Sequence, residues 1–330
     1  MKRINLLDWQ GKSTAKRGDW GPKVEGLLDL DALKLPVPEA CVFPLQFSGS
    51  DQDLARLSQE LVSLQKRLGW PMFSLRCGEK NNRGTLPETV LNLGLAEYVS
   101  RGKGAEHPSS YRNRLGQVCG DHVQAFFSFF GKTPPENFIW LPLLSQCQIL
   151  VATLGRFFDR APGAENSTLG CGVVLQRMVL GTYDQRSLTG MCYTRNPYTG
   201  ERMDYGHYLL NRQGMSLGGI HAPEQLDLAT MQHHNPKAYA SLKEACCLLE
   251  THYRDIRCLE YTAEGEDLYF LQNTVGNRTY RLQPADLQNL ERELLASQRD
   301  EVLGRKESNS SGSKPGEQSG TRDESWKEDV

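Results

Sequence analysis

Nothing in the 330-residue sequence is long and apolar enough to span a bilayer, and the opening MKRINLLDWQGKSTAKRGDW has no apolar signal-peptide core. The chain is therefore expected to stay in the cytosol, off the membrane. A basic excess is missing too: 38 Lys and Arg stand against 40 Asp and Glu, for a formal net charge of -2. Without a cationic surplus to draw a phosphate backbone, nucleic acid is not an expected partner. The nine cysteines form no C-x-x-C pair and their count is odd. Reduced, mostly buried thiols fit that pattern better than a disulfide frame or a zinc site. Neither G-x-x-x-x-G-K-[ST] nor a G-x-G-x-x-G after a strand occurs, and no internal repeat is visible. His233 and His234 lie in QHHNP, read as a loop without the carboxylates a metal would need, and His252 reads as a packed or capping helix residue.

What is present is an ordinary globular balance, 38% hydrophobic and 24% charged, in enough residues for one large domain or two intimate lobes. Leu54, Leu57, Leu61, Leu64 and Leu68 mark a helix over 53–68, stopped by Gly69. Residues 35–45 read as a loop entering a short strand, 72–78 as a strand and 88–99 as a short helix. Residues 103–109 read as a surface loop, with helices over 111–130 and 144–158. The second half changes character. Short apolar runs at 171–181, 189–197 and 205–214, punctuated by Gly, Asn and Pro, predict antiparallel strands. A helix is expected over 236–255, a hairpin over 258–272 with its turn at Ala263 to Asp267, and a last helix over 284–303. From Arg305 to Val330 the chain has almost no apolar residue, too few to repay ordering entropy, and is expected to be disordered. The division that follows is a lobe over 1–170, a second over 171–304 and a tail over 305–330.

Several residues have the chemistry of a phosphate site. Lys23 sits in DWGPKVEG, read as a Gly-flanked turn, and Arg76 follows a strand just before Gly78. Glu260 and Gln272 stand at roughly matched distances from the hairpin turn, where a carboxylate and an amide oxygen can share magnesium. Gln176, Met178 and Val179 lie on an apolar strand that could slot an adenine ring. Each feature alone has a plainer reading: a solvated surface charge, a wet hairpin face, a packed core strand.

Longer stretches carry a resemblance. TLPETVLNLGLAEYV (85–99), TGMCYTRNPYTGERMDYGHYLLNRQG (189–214) and LLETHYRDIRCLEYTAEGEDLYFLQNTVGNR (248–278) resemble the N-terminal nucleotide-binding domain of the pyruvate phosphate dikinase family. So do LKLPVP (33–38), SLRCG (74–78) and SYRNRLGQVCGDHV (110–123), all in the family's order from about residue 21 to 280. The resemblance implies an α+β, ATP-grasp-like, two-lobed nucleotide-binding fold that clamps ATP. It assigns Lys23 and Arg76 to the phosphates, Glu260 and Gln272 to magnesium, and Gln176, Met178 and Val179 to adenine. It implies an ATP-dependent phosphotransferase acting on a separate acceptor, either a protein supplied in trans or a small molecule. The sequence departs from the family's pattern at several acidic and basic positions, which hold Cys258, Thr274, His207, Met215 and Ser216. Those losses remove charge that would hold metal or neutralise phosphate, and they open a second reading. In that reading the chain is a pseudoenzyme, a nucleotide- or protein-binding module on a retained scaffold.

Overall fold

Leu57, Leu61 and Leu64 recur at steps of three and four, so a helix through them presents one apolar face. In the computed structural model of the protein this helix, α2 (Asp51–Leu68), buries all three, and Gly69 follows it at φ 73°. The structure describes residues 4–6, 22–44, 51–78, 89–158, 172–213 and 225–276, with Asp286, Gln288, Asn289 and Arg292 beyond them. These belong to two units, Met1–Leu282 and Gln283–Val330. In the second unit the four described residues are helical. The tail from Arg305, most of the helix expected over 284–303, and Met215 and Ser216 lie outside the described residues.

The first unit contains two five-stranded sheets among its described residues. The first sheet takes β1 (Ile4–Leu6), β2 (Ala40–Pro44), β3 (Phe73–Gly78), β4 (Val90–Leu93) and β5 (Gly172–Arg177) in the order β1-β2-β5-β3-β4. Strands β1 and β2 run parallel, and the remaining pairs are antiparallel. Alternation on β3 and β5 sends Phe73, Leu75, Val173 and Leu175 to one face. There they pack with Leu57 and Leu61 of α2, Phe126 of α4 (Ser109–Phe129) and Leu150 of α5 (Leu143–Phe158). Ser74, Arg76, Val174 and Gln176 alternate onto the opposite face, where Val174 joins the core of the second sheet.

The second sheet takes β6 (Leu188–Tyr193), β7 (Tyr205–Leu210), β8 (Leu226–Asp227), β9 (Arg257–Glu264) and β10 (Asp267–Val275) in the order β10-β9-β6-β7-β8. Leu259, Tyr261 and Phe270 share a core with Leu27 and Leu30 of α1 (Pro22–Ala32) and Leu242 and Leu249 of α7 (Pro236–Tyr253). Helix α7 starts on Asn235, whose side chain accepts the Ala238 amide at 3.1 Å, with Pro236 in the first turn. Helix α1 lies hard against β10, because a Cβ on Gly26 would come 2.2 Å from the Asn273 carbonyl oxygen. Asp29 of α1 then accepts a hydrogen bond from the Tyr253 hydroxyl, and Asn273 donates to that hydroxyl at 3.0 Å.

The expected α+β class holds, with local corrections. Residues 89–99 are not one helix: strand β4 holds Asn92 at φ 59°, and Gly94 at φ 80° follows it before α3 (Leu95–Arg101) begins. Asn92 is fully buried and bonds sideways to the Leu115 carbonyl at 3.1 Å, which holds it outside helical geometry. His233 and His234 end a short helix, α6 (Met231–His234), in place of the expected loop. The hairpin turn is tighter than expected, with strands reaching Glu264 and Asp267 and Gly265 at φ 63°. Strand β5 lies beyond residue 170 yet completes the first sheet, inserted between β2 and β3. The described cysteines are all free thiols, and all but Cys247 and Cys258 are buried.

Candidate functional site

The antiparallel register of the second sheet sets one row of side chains across four strands. Gln272 stands opposite Glu260, Glu260 opposite Met191, and Met191 opposite His207. A regular hairpin would not give this row. From Glu264↔Asp267 the pairing runs evenly to Tyr261↔Phe270, and the next step would set Glu260 against Leu271. A bulge at Leu271 shifts the register by one, so Gln272 faces Glu260.

The first sheet reaches into this row through Arg76 of β3. Its Nη2 donates to Glu260 Oε2 at 2.8 Å and its Nη1 to the bulged Leu271 carbonyl at 2.8 Å. The two side chains are 13% and 31% exposed, so the pair is shielded enough to hold its geometry but remains within reach of solvent. The second oxygen of Glu260 and the side-chain amide of Gln272 make no hydrogen bond among the described residues. They face each other as oxygen donors on adjacent strands, which fits two positions in the shell of a hard cation whose other ligands are phosphate oxygens and water.

The residues around the row are weakly charged. Cys258 sits two residues before Glu260 and opposite Thr274. Burial, and then the neighbouring Glu260, push its thiol up to about 11, so at neutral pH it is protonated and supplies no charge. Hydrogen bonds with the Tyr193 and Thr274 side chains act in the other direction. Burial holds the His207 imidazole below its ordinary value, and its Nε2 is buried with no partner among the described residues. No group of three or more His, Cys, Asp or Glu that could hold a metal occurs among the described residues.

Of the residues singled out in the sequence, Arg76, Glu260 and Gln272 are brought together. Gln176 lies beside Ser74 on β5, on the face of the first sheet that carries Arg76. It is 2% exposed, and its amide Nε2 is buried without a partner among the described residues. Lys23 is not in a turn but in the first turn of α1, the helix seated on β10 and touching β3. Met178 and Val179 are not on the strand, which ends at Arg177. The Met178 amide donates to the Met72 carbonyl at 2.9 Å, and Met178 lines a cavity together with Tyr98 and Glu264. The Leu271 carbonyl was not legible beforehand, since no residue type announces a bulge there.

In sequence the chain is similar to pyruvate, phosphate dikinases. Over 327 residues the chain is 29% identical to pyruvate, phosphate dikinase 1, chloroplastic, of Oryza sativa subsp. japonica, covering 78% of this chain and 34% of that protein. It is 43% identical over 283 residues to pyruvate, phosphate dikinase 2 of the same organism, covering 69% and 31%. With the chloroplastic enzyme of Arabidopsis thaliana it shares 46% identity over 111 residues, covering 33% and 11%. The chain thus spans about a third or less of the length of the curated relatives it matches. No protein-family model matches. Among solved structures, D-alanyl-alanine synthetase A from Vibrio cholerae aligns with a TM-score of 0.35 and 11% identity, over 81% of this chain and 58% of that one. So loose a superposition carries no argument. Among the described residues no helix is long and apolar enough to cross a membrane.

Proposed function

We propose that this chain is an ATP-binding module of ATP-grasp type, similar to the nucleotide-binding region of pyruvate phosphate dikinase. The single observation that carries the reading is the meeting of Arg76, from the first sheet, with Glu260 and Gln272, from the second. A guanidinium fork, a carboxylate and an amide at the junction of two sheets can address the phosphates of a nucleotide and a cation that travels with them. Magnesium, when bound, neutralises phosphate charge, and Glu260 and Gln272 are the residues that would hold it. Arg76 then turns from Glu260 to phosphate oxygens, with Lys23 on the adjacent helix as the second cation. Gln176 supplies a buried amide donor on the same face, which fits a role beside the base. The phospho-acceptor is a protein supplied in trans, and the cytosol is the compartment.

A second reading is favoured by the neighbouring pair, where the Cys258 thiol faces the Thr274 hydroxyl and adds no carboxylate beside Glu260. In this reading the module binds nucleotide, or another protein, without transferring phosphate. Equilibrium binding of ATP with and without magnesium, followed by assays for ATP turnover and phosphate exchange, separates the two. Magnesium-dependent binding with turnover supports the transferase. Binding without turnover supports the pseudoenzyme, and no binding in either condition removes both nucleotide readings.

A further inference from the structure

In the row of Gln272, Glu260, Met191 and His207 the only carboxylate is Glu260, and Arg76 already holds it. The contact is one-sided. Arg76 Nη2 donates to Glu260 Oε2 at 2.8 Å, while Oε1 makes no hydrogen bond among the described residues. The same guanidinium has a second anchor. The pairing of β9 with β10 skips Leu271, and Arg76 Nη1 donates to the carbonyl of that residue at 2.8 Å. This second bond does not involve the carboxylate, so the guanidinium keeps a hold on the site when Nη2 lets go. Among the described residues these two bonds are the hydrogen bonds of a group that carries five N–H donors. With the Arg76 side chain 13% exposed, its charge is screened less than a surface charge would be.

A divalent cation arriving alone meets a carboxylate whose charge is already compensated, with a guanidinium beside it that repels the newcomer. Gln272 and Met191, across the strands on either side of Glu260, are uncharged and do not offset that repulsion. A hard cation gives up its hydration water only for enough negative oxygen, and the row in this state offers too little. A chain of phosphates changes both conditions. Its oxygens give the guanidinium a planar, bidentate partner, stronger than the single carboxylate oxygen it now holds. They also bring negative charge that the cation can share with a released Glu260.

We propose that Arg76 gates the cation site. While its Nη2 holds Glu260, free divalent metal is kept out, and nucleotide phosphates open the site by drawing Nη2 away as Nη1 stays on Leu271. The inference rests on the reading of Arg76, Glu260 and Gln272 as a nucleotide and cation site, and adds to it the coupling between the two ligands. The test is titration of the full chain with Mn²⁺ in the absence of nucleotide, with free metal read by electron paramagnetic resonance. The expected result is weak binding to the wild type, binding at least about tenfold tighter in Arg76→Met, and loss of that gain when Glu260→Gln is added. Thermal melting checks that Arg76→Met folds. Arg76→Gln, uncharged but still able to donate a hydrogen bond, carries the test if it does not. Equal Mn²⁺ affinity in the wild type and the folded Arg76 variant, or a gain that survives Glu260→Gln, overturns the proposal. The underlying reading fails by a separate sign, the absence of ATP binding to the wild type in EDTA and in magnesium alike, and that result takes the gate with it.

Discussion

Arg76 and Glu260, 184 residues apart in the chain, form a 2.8 Å ion pair that ties the first sheet to the second. The same guanidinium holds the Leu271 carbonyl, so one side chain locks both the carboxylate and the bulge that sets its register. Arg76→Met removes both bonds and leaves Glu260 in a partly desolvated place. The expected loss of stability is about 1–3 kcal/mol, read from urea unfolding. A change below the error of that measurement would show that the pair is incidental.

Arg195 and Glu250 are tied more deeply. Their side chains are 0% and 2% exposed, and Arg195 donates from Nε and Nη2 to the two carboxylate oxygens at 2.9 and 2.8 Å. The pair joins the TRNPYTGE stretch to the helix of LLETHYRD, two of the stretches that carry the resemblance in sequence. Removing one partner leaves an uncompensated buried charge, and Arg195→Met should cost about 3–5 kcal/mol. The double change Arg195→Met with Glu250→Leu should recover much of that loss. Denaturant midpoints of the three proteins decide it, and a double variant as unstable as the single one contradicts the account.

Gln176 offers a sign test. Its unpartnered amide is a desolvation cost that an apolar side chain of similar size avoids. Gln176→Met should leave the ligand-free protein as stable as before, or more stable by up to about 1 kcal/mol, while weakening ATP binding. Differential scanning fluorimetry with and without ATP reads both effects. A variant that loses stability and keeps its affinity assigns Gln176 to packing alone.

His207 sets a pH dependence. Burial lowers its folded pKa below 6.5, so between the two values the unfolded chain binds more protons. Its contribution is complete above 6.5 and is lost as pH falls through the window below that value. The melting temperature of the wild type should therefore drop more between neutral pH and about pH 5 than that of His207→Leu. Parallel curves for the two proteins would remove this assignment.

The sequence is most informative where one apolar face decides the element. Leu57, Leu61 and Leu64 specify α2, and the alternation through Leu259, Tyr261 and Ala263 specifies β9. It is weakest where a single backbone angle decides. Asn92 at φ 59° divides an apparent helix into strand and helix, and the partners that hold it come from residues 115 and 213. The site shows the same division. Arg76, Glu260 and Gln272 are legible as residue types, but their meeting depends on the bulge at Leu271 and on the strand order that brings β3 toward β9. Met178 and Val179 read as strand because they are apolar, yet the backbone leaves the ladder at Arg177 when Met178 bonds to Met72.

The central claim is that a nucleotide and its cation meet Arg76, Glu260 and Gln272. Calorimetric titration of ATP into the wild type, Glu260→Gln and Arg76→Met, each with and without magnesium, tests it most directly. The account predicts magnesium-dependent binding to the wild type, loss of the magnesium effect in Glu260→Gln, and affinity weakened about tenfold or more in Arg76→Met under both conditions. Equal affinity in all three proteins, or no binding to the wild type, would contradict it.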